Sequence, residues 1–161
     1  MIIRKSEKMI KEVSYAAYII PVRIQDGKKQ IAILEYAPGA YGTIGGRFDD
    51  GETTAEAALR RELNEELGKS SEFMVELAEQ MAEPYRFKVA EHRVEKRGAY
   101  NEAHIFFVAK VPSDTVLEFC EVREDNVKVV WLDSEALVDE KVIGFFTKEN
   151  SNFILKNTIF I

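Results

Sequence analysis

The sequence predicts an α+β fold in a single domain spanning residues 1–161, and three observations carry that prediction. Several stretches rich in β-branched and aromatic residues read as strands. One segment in the middle of the chain has strong helix formers bounded by capping residues. The two kinds of element do not alternate regularly, as repeated βαβ units would require. With 161 residues, 46% hydrophobic and 31% charged, the chain has the make-up of a soluble globular protein with a sizeable core.

The first strand is expected over Ser14–Ile24 (SYAAYIIPVRI). Asp26-Gly27 is a hairpin signal, and Gln30–Tyr36 (QIAILEY) pairs back from it. Pro38-Gly39 marks a loop leading to the helical segment. Phe73–Glu83 looks strand-like, although Met74, Leu77 and Met81 also fit a helix. Asn101–Val111 (NEAHIFFVAKV) is the clearest strand, and Val127–Leu132 (VKVVWL) is another, followed by a short helix at Ser134–Leu137. In the tail, Thr147–Ile159 spaces Phe153, Ile154 and Ile159 as a packed amphipathic helix does.

Composition excludes several classes. The segment MIIRKSEKMIKEV is too charged for a signal peptide, and no apolar run approaches a membrane span. Cys120 is the only cysteine, which rules out an internal disulfide and a Cys-based zinc site and suits a cytoplasmic location. A net charge of −6 argues against a nucleic-acid-binding surface. There is no G-x-S-x-G, no H-E-x-x-H and no phosphate loop ending in Gly-Lys-Ser/Thr. His104 reads as a satisfied sheet histidine, and Cys120, with no nearby base, as packing. The charged stretch EHRVEKRGA after Ala90 reads as a solvated hairpin loop, with reach over a polyphosphate as the functional alternative.

Carboxylate chemistry remains, and it concentrates in Tyr41–Lys69, YGTIGGRFDDGETTAEAALRRELNEELGK. A glycine-dense turn (Gly42, Gly45, Gly46, Gly51) leads into a helix with Thr53 as N-cap, Glu56 completing a capping box and Gly68 at its end. At about 100° per residue, Leu59, Leu63 and Leu67 form one apolar stripe. Glu62, Glu65 and Glu66 share an adjacent arc, where like charges oppose helix formation unless something positive sits among them. Arg61 reaches Glu65 but projects away from Glu62. Hard divalent ions take several oxygen ligands, and Mg²⁺ commonly combines carboxylates with substrate phosphates. The bland reading of the glutamates alone is a solvated acidic face.

Taken together, the glycine turn, the Arg-Glu pair and the glutamates resemble the Nudix box of the Nudix hydrolases. Gly46, Glu52, Arg61-Glu62-Leu63, Glu65-Glu66 and Gly68 match that pattern in identity and order. Two departures stand out: eight residues, one more than the pattern, separate Glu52 from Arg61, and Lys69 replaces an apolar residue. The extra residue fits at Thr53 or Thr54, before the helix, because an insertion inside it would rotate the carboxylates by about 100°.

The resemblance implies a mixed sheet sandwiched between helices, with the box helix on one face. It implies hydrolysis of a diphosphate linkage in a nucleoside diphosphate joined to another group, of ADP-ribose, diadenosine polyphosphate or nucleoside triphosphate type. The implied cofactor is Mg²⁺ or Mn²⁺, with Glu62, Glu65, Glu66 and the Gly46 carbonyl as ligands. Glu62 is ligand or general base, and Arg61 orients the loop by pairing with Glu52. A further glutamate from outside the box is expected among Glu102, Glu121 and Glu124. Pro84 and Tyr85 stand where relatives acting on ADP-ribose and on diadenosine polyphosphates carry proline and tyrosine, so they point in different directions. Tyr85 either stacks on a base or belongs to an apolar strand face with Phe87 and Val89. The expected partner is a small nucleotide, with neither nucleic acid nor membrane, and a homodimer is compatible with these features. The competing reading is a Nudix-fold module that senses a nucleotide without cleaving it. Retention of Arg61 and all three helix glutamates argues against that, since a sensor needs none of them.

Overall fold

The computed structural model describes residues 13–81, 85–89, 101–121 and 126–138. Among the described residues seven strands form one mixed sheet: β1 (Val13–Gln25), β2 (Lys28–Ala37), β3 (Ala40–Gly42), β4 (Ile44–Arg47), β5 (Tyr85–Val89), β6 (Asn101–Lys110) and β7 (Lys128–Asp133). Two helices, α1 (Ala55–Leu67) and α2 (Phe73–Met81), lie between β4 and β5.

β1 organises the sheet. One of its edges runs parallel to β6 from Val13↔Asn101 to Val22↔Lys110. Its other edge is divided: residues 16–19 pair antiparallel with β4, and residues 22–25 pair antiparallel with β2. The chain therefore turns back through the β1–β2 hairpin, continues through β3, and returns as β4 beside the first half of β1. The turn at Asp26 and Gly27, both with positive φ (51° and 77°), matches the two-residue hairpin predicted there. β2 also carries β3 and, along Gln30–Glu35, β7. Pro38-Gly39 is thus the turn of a second hairpin rather than an open loop.

Side-chain alternation splits the core in two. Ala17 and Ile19 of β1, Ala32 and Leu34 of β2, and Ile105, Phe107 and Ala109 of β6 point to one face. Ala16, Tyr18, Ile20, Val22, Ile31, Ile33 and Phe106 point to the other. Both helices pack on the first face, α1 through Ala55, Ala58, Leu59, Leu63 and Leu67, and α2 through Met74, Val75 and Ala78. Leu59 and Leu63 are fully buried, worth about 1.5–3 kcal/mol each. The leucine stripe read from the sequence is therefore what seats the helix.

Several local expectations are corrected. Phe73–Met81 is a helix, because Met74, Val75 and Ala78 bury against α1 and the sheet, a spacing that suits a helix and not a strand. The N-cap is Thr54, not Thr53: Thr54 is still extended (φ −124°, ψ 147°) and its hydroxyl accepts from the Ala57 amide at 3.2 Å. The third helical residue is then Ala57, so no reciprocal capping box forms, although Glu56 in the first turn suits the helix dipole. Ser134–Val138 is a 3-10 turn. The expected tail helix over 147–159 and the charged loop after Ala90 lie outside the described residues. Among the described residues, no helix is long and apolar enough to cross a membrane.

Candidate active site

The site is built where β4 turns into α1. Gly45, at φ 133°, lies so close to β1 that any Cβ would collide with the Ala17 carbonyl oxygen, so only glycine fits. Gly46 lies against the helix: a Cβ there would sit 2.5 Å from Glu62 Oε1. The turn is therefore pressed onto the carboxylates. α1 runs unbroken from Ala55 to Leu67, so the additional residue relative to the Nudix pattern lies outside the helix and the glutamates keep their spacing.

Glu66 is 5% exposed, an unusual burial for a carboxylate. Its Oε1 accepts from the Gly45 amide at 3.2 Å, and the Glu62 carboxyl is its neighbour. Burial, the neighbouring Glu62 charge and, more weakly, Glu121 push the Glu66 carboxyl up to about 9. Burial also raises Glu62, against the opposing pull of Arg61. Two carboxyls that share a buried space cannot both ionise cheaply without a cation.

Arg61 ties the rest together. Its Nε donates to both Glu52 oxygens (3.0 and 3.1 Å) and lies 3.0 Å from Asp49 Oδ2. Nη2 donates to Glu52 Oε1 at 2.9 Å and to the Arg47 carbonyl at 2.7 Å. Nη1 donates to Glu62 Oε1 at 3.0 Å and to both Glu65 oxygens at 3.2 and 3.3 Å. The expected Glu52–Arg61 pair is present, but Arg61 does not project away from Glu62. A long guanidinium spans the roughly 100° between adjacent helix positions when Glu62 turns toward the glycine turn. The Arg61 bond is the main cause that holds Glu52 below the usual carboxylate range, and Glu52 Oε1 also accepts from the Asp49 amide at 2.6 Å. Burial pulls the Arg61 guanidinium down, but its Glu52 and Glu62 bonds outweigh that and leave it raised.

The segment after β6 closes the far end of the helix. The Cys120 amide donates to the Glu66 carbonyl at 2.7 Å, and Sγ lies 3.8 Å from the Glu65 carbonyl oxygen. Cys120 is exposed, so its expected packing role is corrected: its backbone does the docking. This strap brings Glu121 close enough to act on Glu66, a long-range placement that no local sequence signal announced. Glu124 and the Glu102 side chain lie outside the described residues. Tyr85 opens β5, opposite Phe106 in the register, and its side chain is likewise outside them. His104 sits between Tyr18 and Phe106, with ring centroids 5.3 and 6.2 Å away, well inside the sheet.

The glutamates of α1, pressed against a double-glycine turn on a mixed sheet, define the Nudix class of hydrolases. The chain belongs to the NUDIX domain family, whose model matches residues 16–152. Solved structures are similar in fold. An Ap4A hydrolase from C. elegans superposes with TM-score 0.56 at 19% identity, over 92% of this chain and 98% of that one. The dihydroneopterin triphosphate pyrophosphohydrolase of E. coli gives 0.56 at 22% identity, over 93% and 97%. The NUDIX domain of Shewanella oneidensis NrtR, complexed with ADP ribose, gives 0.50 at 15% identity, over 90% and 85%. No curated protein matches the sequence.

Proposed function

We propose that this chain hydrolyses the diphosphate linkage of a nucleoside diphosphate joined to another group, with Mg²⁺ or Mn²⁺ as cofactor. The observation that carries this is the pairing of Glu62 with buried Glu66 under the Gly45-Gly46 turn. Burial of two adjacent carboxyls is costly, and it is the main cause that raises both, so a cation beside them would relieve the cost. The donor set, all oxygen, suits a hard divalent ion. Glu62, Glu65, Glu66 and the Gly46 carbonyl would hold it, with Glu121 as the outside carboxylate. Among the described residues no group of three or more His, Cys, Asp or Glu is already arranged around a common point. Glu65 is drawn aside by Arg61, and its side chain is half exposed.

A divalent ion held there would supply positive charge against the phosphate oxygens and would ease ionisation of the attacking water. The residues of the chain do the rest. Glu62 accepts the proton of the attacking water. Arg61, fixed to Glu52 and the Arg47 carbonyl, keeps the turn and the helix in register. Gly45 and Gly46 let the backbone approach without a side chain in the way.

The similar proteins support the substrate class, since their names carry Ap4A, a pterin triphosphate and ADP ribose, all of which contain phosphoanhydrides. Tyr85 is the proposed base contact. Tyr85→Ala should raise KM for adenine-containing substrates, since base stacking is worth about 1–3 kcal/mol, and spare substrates without a base. The decisive experiment is a screen of nucleotide diphosphate derivatives with Mg²⁺ or Mn²⁺, reading released phosphate and nucleotide. Hydrolysis that persists in excess chelator, or no hydrolysis of any anhydride, would sink the proposal.

A further inference from the structure

We infer that Arg61 is a built-in counter-cation that a divalent ion partly displaces. Its Nη1 gives up Glu62 and Glu65 as metal enters, while Nε and Nη2 stay on Glu52 and the Arg47 carbonyl. This rests on the metal reading above and deepens it.

The geometry divides the guanidinium into two halves. A planar fork can serve separate partners along separate edges. The Nε/Nη2 edge makes the shortest contact of the set, 2.7 Å to a backbone carbonyl, and grips Glu52, whose side chain is 16% exposed. The Nη1 corner lies 3.0 Å from Glu62, whose side chain is 15% exposed, and 3.2–3.3 Å from Glu65, which is 48% exposed. Of these two contacts only the exposed Glu65 pair is weak on that ground. The partners divide the guanidinium: the half on Glu52 and a backbone carbonyl is an anchor, and the half on two carboxylates that a metal would claim is a releasable hand.

The releasable hand lies on Glu62 and Glu65, two of the three helix carboxylates assigned to the metal. An ion that takes their oxygens competes with Nη1 directly. Even after release, the anchored guanidinium leaves a positive charge beside the site. Arg61 therefore shields the helix carboxylates from one another and at the same time weakens metal binding. A residue that merely held the loop in place would do the reverse, because loosening the loop scatters the ligands.

The test is Mn²⁺ binding to the full chain by calorimetry, for wild type, Arg61→Gln and Arg61→Lys. Arg61→Gln should bind Mn²⁺ about tenfold tighter, as expected for one charge removed beside a divalent ion in a partly screened site. Arg61→Lys, which keeps the charge, should stay near wild type. Melting temperature adds an independent readout: Arg61→Gln should melt lower in chelator and gain more from Mn²⁺. Equal or weaker Mn²⁺ binding by Arg61→Gln overturns the inference and leaves the metal reading intact. Absence of Mn²⁺ binding by wild type overturns both. If Arg61→Gln does not fold, side-chain NMR of wild type decides. On Mg²⁺ saturation the Arg61 Nε–H should stay protected while the Nη1 protons move to fast exchange, and unchanged Nη1 signals overturn the inference.

Discussion

Two polar clusters ride on the same sheet, and they handle charge in opposite ways. At the β1–β2–β7 end, Arg23 donates to Gln30 at 3.0 Å and lies 4.0 Å over the Trp131 ring, Gln30 donates to Asp133 at 3.4 Å, and Lys28 faces Asp133 at 3.9 Å. Lys28 and Asp133 are 71% and 47% exposed, so water stabilises each charge whether or not the pair forms. At the β4–α1 junction, Asp49, Glu52, Glu62 and Glu65 gather around Arg61, with Glu66 buried behind them. There water is partly excluded, so the surplus negative charge must be met by a proton, a guanidinium or a bound cation. An exposed cluster tolerates imbalance, whereas a buried one stores it. Stored imbalance is what a metal-dependent site requires.

Substitutions should sharpen that contrast, beginning with the largest effect. Glu66→Gln and Glu62→Gln should each lower turnover by about a hundredfold or more at limiting metal, comparable to loss of one preorganised electrostatic contact. Steady-state rates across a Mg²⁺ titration check this, and a wild-type rate in either variant removes that carboxylate from the site.

pH should separate the clusters next. Glu66 is raised from its ordinary value toward about 9, so the folded state keeps a proton that the unfolded chain loses near pH 4.5. Its contribution is therefore fully present below about pH 4.5 and is lost as pH rises toward 9. In chelator, stability should fall with pH across that window by at most about 1.4 kcal/mol per unit. Glu66→Gln should flatten the slope, and denaturant melts at several pH values measure it. Glu52 carries the opposite sign: its lowered carboxyl stabilises above its ordinary range, and that contribution is lost in acid.

Smaller effects follow. Glu52→Gln should leave α1 folded but loosen the turn, cutting turnover about tenfold, as a displaced support does. Rate and melting temperature measured together distinguish this from unfolding. At the exposed cluster, Asp133→Ala should cost under about 1 kcal/mol and leave turnover unchanged. A large loss there would erase the contrast drawn above.

Much of this molecule is written in short windows of the chain. The Asp26-Gly27 turn, the β1 and β6 strands and the α1 helix with its Leu59–Leu63 stripe follow from local turn chemistry and side-chain period, because residues a few positions apart decide them. The glutamate arc is equally local, since helix geometry alone places Glu62, Glu65 and Glu66 together. Tertiary structure decided the rest. α2 is a helix because α1 and the sheet offer Met74, Val75 and Ala78 a surface, which no local ambiguity could resolve. The cap moved to Thr54 because the chain is still extended there as it arrives from the Glu52 loop. Arg61 reaches Glu62 where that carboxylate lies against the Gly46 turn, and Glu121 comes near enough to act on Glu66 because the Cys120 amide docks on the helix end. Hydrogen-bond and charge partners distant in sequence depend on how whole elements pack, and a period of 3.6 or 2 carries no information about that.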